Sequence, residues 1–231
     1  MNALKRHKHA MLLVALVWAV LIQSFSHRDV LGPVLSDLTL ALGMLLVFLV
    51  VFYRRSSRLL ACLALATAIV VDWVHYALPG AAELPLRLIF HSVLLLLVGF
   101  ATIVILRNIF EQGVVRADDV LGAVCGYLLA SEAWSHVFML IEIFLPESFS
   151  VSPGFSADLD SWHGRIAVLS YVSLGSLTSI GSGAVVPVRP PATILTTLET
   201  VFGQFYIAVV VAQLVSARLS QASQRNSLTQ A

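Results

Sequence analysis

The sequence predicts an all-α membrane protein with six transmembrane helices and a re-entrant helix and loop between the last two. Of its 231 residues, 58% are hydrophobic and 12% are charged, whereas an ordinary soluble domain has about 25% charged residues. The apolar residues lie in long runs, and a helix needs about 20 of them to cross a bilayer. Six runs qualify, at about 10–26, 34–53, 59–78, 86–107, 119–145 and 192–217.

The first run follows a basic start, MNALKRHKHA, and therefore also resembles a secretory signal with a weak cleavage site at 24–26. We favour an uncleaved helix, because the run extends to about Phe25 and the sixth span gives a consistent topology. With the N-terminus inside, ten of the 14 Lys and Arg residues are cytoplasmic, as the positive-inside rule requires. The outer four are Arg28, Arg87, Arg165 and Arg189. We therefore expect a multi-pass protein of the cell membrane with both termini cytoplasmic.

Composition also bears on partners and cofactors. The net charge of +1 gives no indication of a nucleic-acid partner. Cys62 and Cys125 both fall inside apolar runs, which indicates buried, inert thiols rather than a disulfide or a zinc site. The polar residues after Leu219 are expected to form a short, disordered cytoplasmic tail.

The long connection between the fifth and sixth runs, residues 146–191, contains the most unusual sequence. Residues 162–177 are apolar enough to enter the membrane but too short to cross it, and Asp160 or Ser161 could cap their start. Residues 178–184, here called the Gly-Ser segment, follow, and then come Pro187 and the Pro190-Pro191 pair. This order predicts a short helix, an irregular strand and a return.

Irregular backbone at membrane depth is tolerated where protein buries it or where it lines a watery cavity. Glycines at alternate positions would let successive carbonyl groups face one axis, and a ring of carbonyl oxygens can replace the water around a cation. The alternative is that the glycines only permit a re-entrant loop or close helix contacts, with no ion involved.

The Gly-Ser segment, Thr-Ser-Ile-Gly-Ser-Gly-Ala, resembles the pore-loop signature Thr-Thr-Val-Gly-Tyr-Gly-Asp of potassium channels. The similarity extends to the outer helix around DDVLGAVCGYLLASEAW and to the inner helix around TLETVFGQFYIAVVVAQL, and covers about 118–219. It implies a pore helix and selectivity-filter loop, a homotetramer in the lipid bilayer, and passive potassium flow without a cofactor. The implied ion ligands are the backbone carbonyls of Ser179, Ile180, Gly181 and Ser182 with the Ser179 hydroxyl, and Thr178 and Gly183 complete the filter.

Two residues depart from the signature. Ser182 stands where the family has the tyrosine that braces the filter, and Ala184 stands where it has an aspartate. The resemblance therefore implies a cation pathway more firmly than potassium selectivity, and sodium permeation stays open. A non-conducting scaffold or subunit, including one that assembles with a different pore chain, is the alternative.

Further residues are implied to support the pore. Tyr171 and Ala184 would help to hold the filter, and Gly203, within the inner helix, is a candidate gating hinge. The alternative for Gly203 is that it lets two helices approach closely. Glu199 lies four residues earlier on the same face of the helix. It is either a packed and paired carboxylate or a group that tunes a cavity.

The first four spans, residues 1–117, do not resemble an arginine-rich voltage sensor. Arg87 and Arg107 lie at the two ends of the fourth span, and there is no arginine between them. They form a packing scaffold or a regulator for the pore domain at 118–219. The tail, 220–231, is too short for a nucleotide- or calcium-sensing domain, so a gate of that kind requires a separate regulatory partner.

Two carboxylate–histidine pairs lie within predicted spans, Glu132 with His136 and Asp72 with His75. Each is either a proton sensor or a polar contact between helices, and His91 is expected to be a helix-contact residue. No further ligand at a recognisable spacing supports a metal site.

A membrane enzyme is the remaining class. Six spans with Gly-Ser-Gly are similar to rhomboid intramembrane proteases, which use Gly-x-Ser-Gly and a later histidine. Here position 180 is isoleucine, and no histidine follows His163. The sequence therefore does not predict an enzyme.

Overall fold

The computed structural model describes residues 8–25, 66, 83–111, 117–153 and 162–229. This part of the chain is mostly helical. Its elements are α1 (Lys8–Phe25), α2 (Glu83–Glu111), α3 (Ala117–Phe144), β1 (Phe149–Val151), α4 (Trp162–Leu177), β2 (Val185–Pro187) and α5 (Pro190–Thr229). Among these described residues, three stretches are long and apolar enough to cross a membrane: Leu84–Ile109, Asp118–Phe144 and Pro190–Ser216. The prediction of a helical, membrane-embedded protein is confirmed at this level.

The predicted spans at 86–107, 119–145 and 192–217 correspond to α2, α3 and α5, and the predicted short helix matches α4 at both ends. The first predicted span is helical as α1, which has 18 residues and includes the apolar stretch His9–Ala19. The spans at 34–53 and 59–78 lie outside the described residues, as do Cys62, the Asp72 and His75 pair and the Asp160/Ser161 cap.

The end of α5 corrects one expectation. The tail after Leu219 was expected to be disordered, yet α5 continues to Thr229. Extending an existing helix needs no new nucleus, and the added residues include Ala, Gln, Arg and Leu, which have high helix propensity. Polar composition alone was therefore a poor guide to the end of this helix.

Helix α3 lies at the centre of the described fold and contacts α1, α2, α4 and α5. Its first half belongs to a core cluster with α1, α2 and α5, which includes Leu12, Val98, Cys125 and Leu129. Its second half packs against α4 and β2 in another cluster, which includes Phe138, Met139, Val168, Val172 and Val185. An apolar helix that is covered on several sides suits this central position.

A tight turn connects α3 to β1. The Glu142 carboxylate accepts hydrogen bonds from the backbone N–H groups of Glu147 and Ser148, both at 3.0 Å. β1 then pairs antiparallel with β2, so that Phe149 lies opposite Pro187. The sequence did not predict this sheet, because strands of three residues have no clear periodicity. The pairing fixes the residues just after the Gly-Ser segment beside the end of α3.

The start of α4 is held from two sides. The Arg87 guanidinium of α2 lies 3.5 Å from the ring centroid of Trp162, a cation–π contact. Arg165 lies 5.8 Å from the same ring and 3.8 Å from the Glu142 carboxylate. Contacts with both α2 and α3 therefore position α4, whose other end leads into the Gly-Ser segment.

Candidate functional site

The Gly-Ser segment has an alternating backbone. The φ angle is positive at Ser179 (61°), Gly181 (81°) and Gly183 (49°), whereas Ile180 and Ser182 between them are not in this region. Glycine adopts such angles freely, but a serine does so at a cost of about 1–2 kcal/mol. Ile180 is 85% exposed. The segment is therefore a specific irregular structure and not an extension of α4.

The middle of the segment packs on α4 through two glycines. The Gly181 N–H donates a hydrogen bond to the Gly175 carbonyl at 2.9 Å. A Cβ atom added to Gly175 would lie 2.9 Å from the Gly181 carbonyl oxygen and 3.2 Å from the Ser182 nitrogen. Only glycine at position 175 leaves room for this peptide group, and the Gly181 carbonyl thus lies against α4.

Ser182 and Ala184 turn the chain towards β2. Ser182 is buried, its hydroxyl donates to the Val185 carbonyl, and its own carbonyl accepts from the N–H of Ala184. Ala184 in turn accepts from the Ser152 N–H at 2.8 Å. The Ser182 hydroxyl hydrogen is thus directed to a backbone carbonyl, whereas a serine nucleophile needs a neighbouring base.

The last turn of α4 meets both flanking helices at the Leu177 carbonyl. This oxygen accepts a hydrogen bond from the Tyr127 hydroxyl of α3 at 2.7 Å. On its other side it lies against Gly203 of α5, where an added Cβ would be 2.1 Å from it. The Thr178 hydroxyl donates to the Leu174 carbonyl at 2.7 Å and so closes the end of α4. The start of the Gly-Ser segment is therefore fixed between α3 and α5.

Replacing Tyr127 by phenylalanine removes the donor to the Leu177 carbonyl. We expect the free energy of unfolding to fall by about 1 kcal/mol, the usual net value of such a bond. Thermal unfolding of the purified protein in detergent would measure the change. Tyr206→Phe, which removes a 2.7 Å bond to the Ala123 carbonyl, is the matched comparison. An unfolding temperature equal to wild type for Tyr127→Phe would show that this contact does not stabilise α4.

Glu199 is part of a buried polar network. Its side chain has no exposed surface, and Oε1 lies 2.5 Å from the Ser173 hydroxyl of α4. Ser173 also lies 2.7 Å from the Ser131 carbonyl and 3.0 Å from the Ser131 hydroxyl of α3. Glu199 Oε2 is buried without a hydrogen-bond partner among the described residues. The network joins α3, α4 and α5 one turn before the Gly-Ser segment.

A second polar group lies between α2 and α3. The Nδ1 atoms of His91 and His136 are 3.2 Å apart, so one ring donates and the other accepts. Glu132 Oε1 lies 3.9 Å from His136 Nε2, which agrees with the predicted pairing on one face. Among the described residues, no group of three or more His, Cys, Asp or Glu could hold a metal ion. His91 links the two helices, as expected of a helix-contact residue, although its pairing with His136 was not predicted.

The structure brings some predicted site residues together and leaves others apart. Gly203 and Glu199 both contact α4, through Leu177 and Ser173 respectively. Tyr171, in the second half of α4, is 43% exposed. Sequence reasoning missed Gly175, Tyr127 and Ser173, because each acts through a partner on another element. The GxxxxxG spacing of Gly175 and Gly181 is the only sequence signal that could have suggested one of these contacts.

Comparison of the chain with models of protein families, with curated protein sequences and with solved structures finds no match. The resemblance to potassium-channel pore loops therefore depends on the residues quoted above. Any function has to be argued from the geometry of the Gly-Ser segment and the helices around it.

Proposed function

We propose that the chain is one subunit of a tetrameric channel that conducts monovalent cations, chiefly potassium, across the cell membrane. The observation that carries the proposal is the positive φ at Ser179, Gly181 and Gly183 in turn. Alternating right- and left-handed backbone conformations turn successive N–H groups to one side and the carbonyl groups to the other. Carbonyl oxygens aligned in this manner can replace the water around a cation.

In the proposed topology the chain crosses the membrane six times, with both termini cytoplasmic. α4 enters from the outside and the Gly-Ser segment returns. The 16 residues of α4 span about 24 Å at about 1.5 Å each, which is less than the roughly 30 Å hydrocarbon core. The end of α4 then lies within the membrane, where its carbonyl groups carry about half a negative charge and attract a cation.

The number of ligands that a cation needs supports an assembly of several chains, and the resemblance implies four. One Gly-Ser segment supplies only part of a coordination shell, so several copies must surround a common axis. α5 supports this arrangement, since only 22% of its apolar stretch is buried. Its exposed residues include Ile194, Leu198, Phe205, Val209 and Val215. Neighbouring subunits and lipid would cover this face.

Selectivity in the proposed channel depends on Ser182 and Ala184. The Ser182 hydroxyl donates to the Val185 carbonyl and so braces the segment through a contact within its own chain. Its carbonyl accepts from Ala184, but a carbonyl oxygen has two lone pairs and can also bind a cation. We expect the outer end of the filter to be less rigid than one braced by tyrosine and aspartate, and to admit sodium as well as potassium.

The second candidate is a non-conducting scaffold or subunit. The contact of the Gly181 carbonyl with Gly175 favours it, because a carbonyl held against α4 is not available to an axial ion. In that case the segment would serve to pack α4, and conduction would require a different pore chain. Whether the chain forms a channel or a scaffold, we expect regulation by nucleotide or calcium to come from a separate partner protein.

The deciding experiment is the reversal potential of the full-length protein in planar bilayers under opposed potassium and sodium gradients. A reversal potential near the potassium equilibrium value indicates a selective filter, and one near zero indicates a filter that passes both ions. Silence in every ionic condition from a stable tetramer would favour the scaffold. Labelling of Ser182 by a serine-reactive probe would reopen the enzymatic alternative.

Gly181→Val and Gly183→Val test the backbone requirement. An added Cβ at either position meets nothing within 4 Å, so these variants change conformation rather than packing. β-branched residues are strongly disfavoured at positive φ, and we expect loss of potassium flux from liposomes with the tetramer retained. Gly99→Ala on α2, also free of Cβ contacts, is the control. Wild-type flux from both valine variants would contradict the proposed conduction path.

A further inference from the structure

The side chain of Gln204 contacts the start of the Gly-Ser segment. Its Nε2 atom donates a hydrogen bond to Ser179 Oγ at 2.6 Å. Gln204 directly follows Gly203, whose backbone lies against the Leu177 carbonyl. A backbone contact therefore sets the distance between α5 and Ser179, so the position of this amide does not depend on flexible side chains alone.

The hydrogen bond constrains an otherwise free hydroxyl. A serine hydroxyl has one hydrogen and two lone pairs, and normally rotates to suit its surroundings. When the amide N–H of Gln204 occupies one lone pair, the hydroxyl hydrogen and one lone pair remain. Ser179 is exposed, so the remaining lone pair is accessible from outside the protein core.

The backbone of Ser179 also needs support. Its φ of 61° is in the left-handed region, which costs a residue with a side chain about 1–2 kcal/mol. Such conformations persist where the surroundings over-determine them, and they concentrate at functional sites. The Ser179 N–H donates to the Ser176 carbonyl at 2.9 Å, and Gln204 holds the side chain. Hydrogen bonds therefore hold both the backbone and the side chain of Ser179.

We propose that Gln204 is a positioning residue that fixes the Ser179 hydroxyl as a ligand for a monovalent cation at the α4 end of the Gly-Ser segment. The inference rests on the proposed function, and names the residue that sets cation preference at that end of the path. A neutral amide suits this role, because it donates to the hydroxyl without adding a charge that would hold the cation too tightly.

The test measures the potassium-to-sodium permeability ratio of the full-length protein for wild type, Gln204→Leu and Ser179→Ala. We expect each variant to change the ratio by about threefold to tenfold, the effect of one lost hydrogen bond. The double variant should show no further change, because both substitutions remove the same ligand. Gln213→Leu, the same substitution on α5 at a half-buried site further along the helix, should leave the ratio unchanged.

Two outcomes would overturn the inference in a conducting protein: an unchanged ratio for Gln204→Leu, or effects of Gln204→Leu and Ser179→Ala that add. If Gln204→Leu does not assemble, Gln204→Glu replaces it, because a carboxylate cannot donate to the hydroxyl. A ratio equal to wild type for Gln204→Glu would likewise contradict the proposed role.

A separate measurement keeps the inference testable if wild type does not conduct. Binding of potassium to the folded state raises the unfolding temperature by mass action, with N-methyl-glucamine chloride at equal ionic strength as the control. Silence with potassium stabilisation in wild type but not in Gln204→Leu would reject conduction and support the cation site. The role of Gln204 would be rejected if potassium raised the unfolding temperatures of wild type and Gln204→Leu equally. It would also be rejected if potassium did not raise the unfolding temperature of wild type above that in N-methyl-glucamine.

Discussion

Gly203→Ala is expected to destabilise the folded protein by about 1–3 kcal/mol or to prevent assembly, as overpacking in a tight contact does. The new Cβ would lie 2.1 Å from the Leu177 carbonyl oxygen, 2.9 Å from its carbonyl carbon and 3.1 Å from its Cα. All three atoms belong to the backbone, so no side-chain rotation can relieve the clash. The Leu177 oxygen is also held by Tyr127, which limits how far α4 can move.

The measurement is thermal unfolding of the purified protein, with size-exclusion chromatography to record the assembly. Gly99→Ala provides the matched control, because an added Cβ on α2 meets nothing within 4 Å. That variant should be as stable as wild type, or more stable by up to about 1 kcal/mol, since alanine favours helix more than glycine does. Equal stability of Gly203→Ala and wild type would contradict the contact with Leu177.

The same variant separates the two roles considered for Gly203. A gating hinge needs backbone freedom, so alanine would alter opening while leaving the stability of the closed protein nearly unchanged. A close-approach glycine needs space, so alanine would reduce stability before any effect on opening could be seen. The Leu177 distances favour the second role. A stable Gly203→Ala tetramer with altered open times would instead favour the hinge.

The apolar runs and the residues that bound them predicted the described helices. The ends of α4 agree with the prediction because residues 162–177 form a bounded apolar run. α5 begins at Pro190, two residues before the predicted span, since proline suits the first turn of a helix. These signals are local in sequence. The sheet between β1 and β2 was not predicted, since its register depends on where a distant segment returns.

The candidate site was predicted only in part, for a physical reason. Glycines 181 and 183 were expected to allow unusual backbone angles, and both have positive φ. Ser179 shares that conformation without being a residue type that favours it. The contacts of Leu177 with Tyr127 and Gly203 join residues 50 and 26 positions apart along the chain. Such contacts follow from helix packing, which no local pattern encodes.

Glu199→Ala is expected to cost about 2–4 kcal/mol of stability, because it leaves a cavity and removes a partner from a buried hydroxyl. Glu199 has no exposed surface, and Ser173 lies 2.5 Å from Oε1. Leu96→Ala, at an exposed position on α2 away from the α5 face assigned to neighbouring subunits, should change stability much less. Thermal unfolding of the two variants beside wild type gives the comparison.

Glu199→Gln keeps the volume of the side chain but removes its charge, so it separates these two contributions to stability. The amide can donate to Ser173 Oγ, which then donates to the Ser131 carbonyl 2.7 Å away, or its oxygen can accept from Ser173 instead. A neutral side chain also avoids the cost of a buried charge. We therefore expect Glu199→Gln to unfold within about 1 kcal/mol of wild type. A loss as large as that of Glu199→Ala would show that the network requires a carboxylate.

A double-mutant cycle of Glu199 and Ser173 decides between the two roles that the sequence left open for this carboxylate. If Glu199 is a packed group that ties α5 to α4, Glu199→Ala and Ser173→Ala share one interaction, and their effects on stability should be coupled by about 0.5–3 kcal/mol. If Glu199 instead tunes an ion-filled cavity, the two stability effects should add, and Glu199→Gln should reduce cation flux through the loss of charge. The full burial of Glu199 and its contact with Ser173 favour the coupled result. In that case the carboxylate would act on the proposed conduction path through the position of α4, one turn before the Gly-Ser segment.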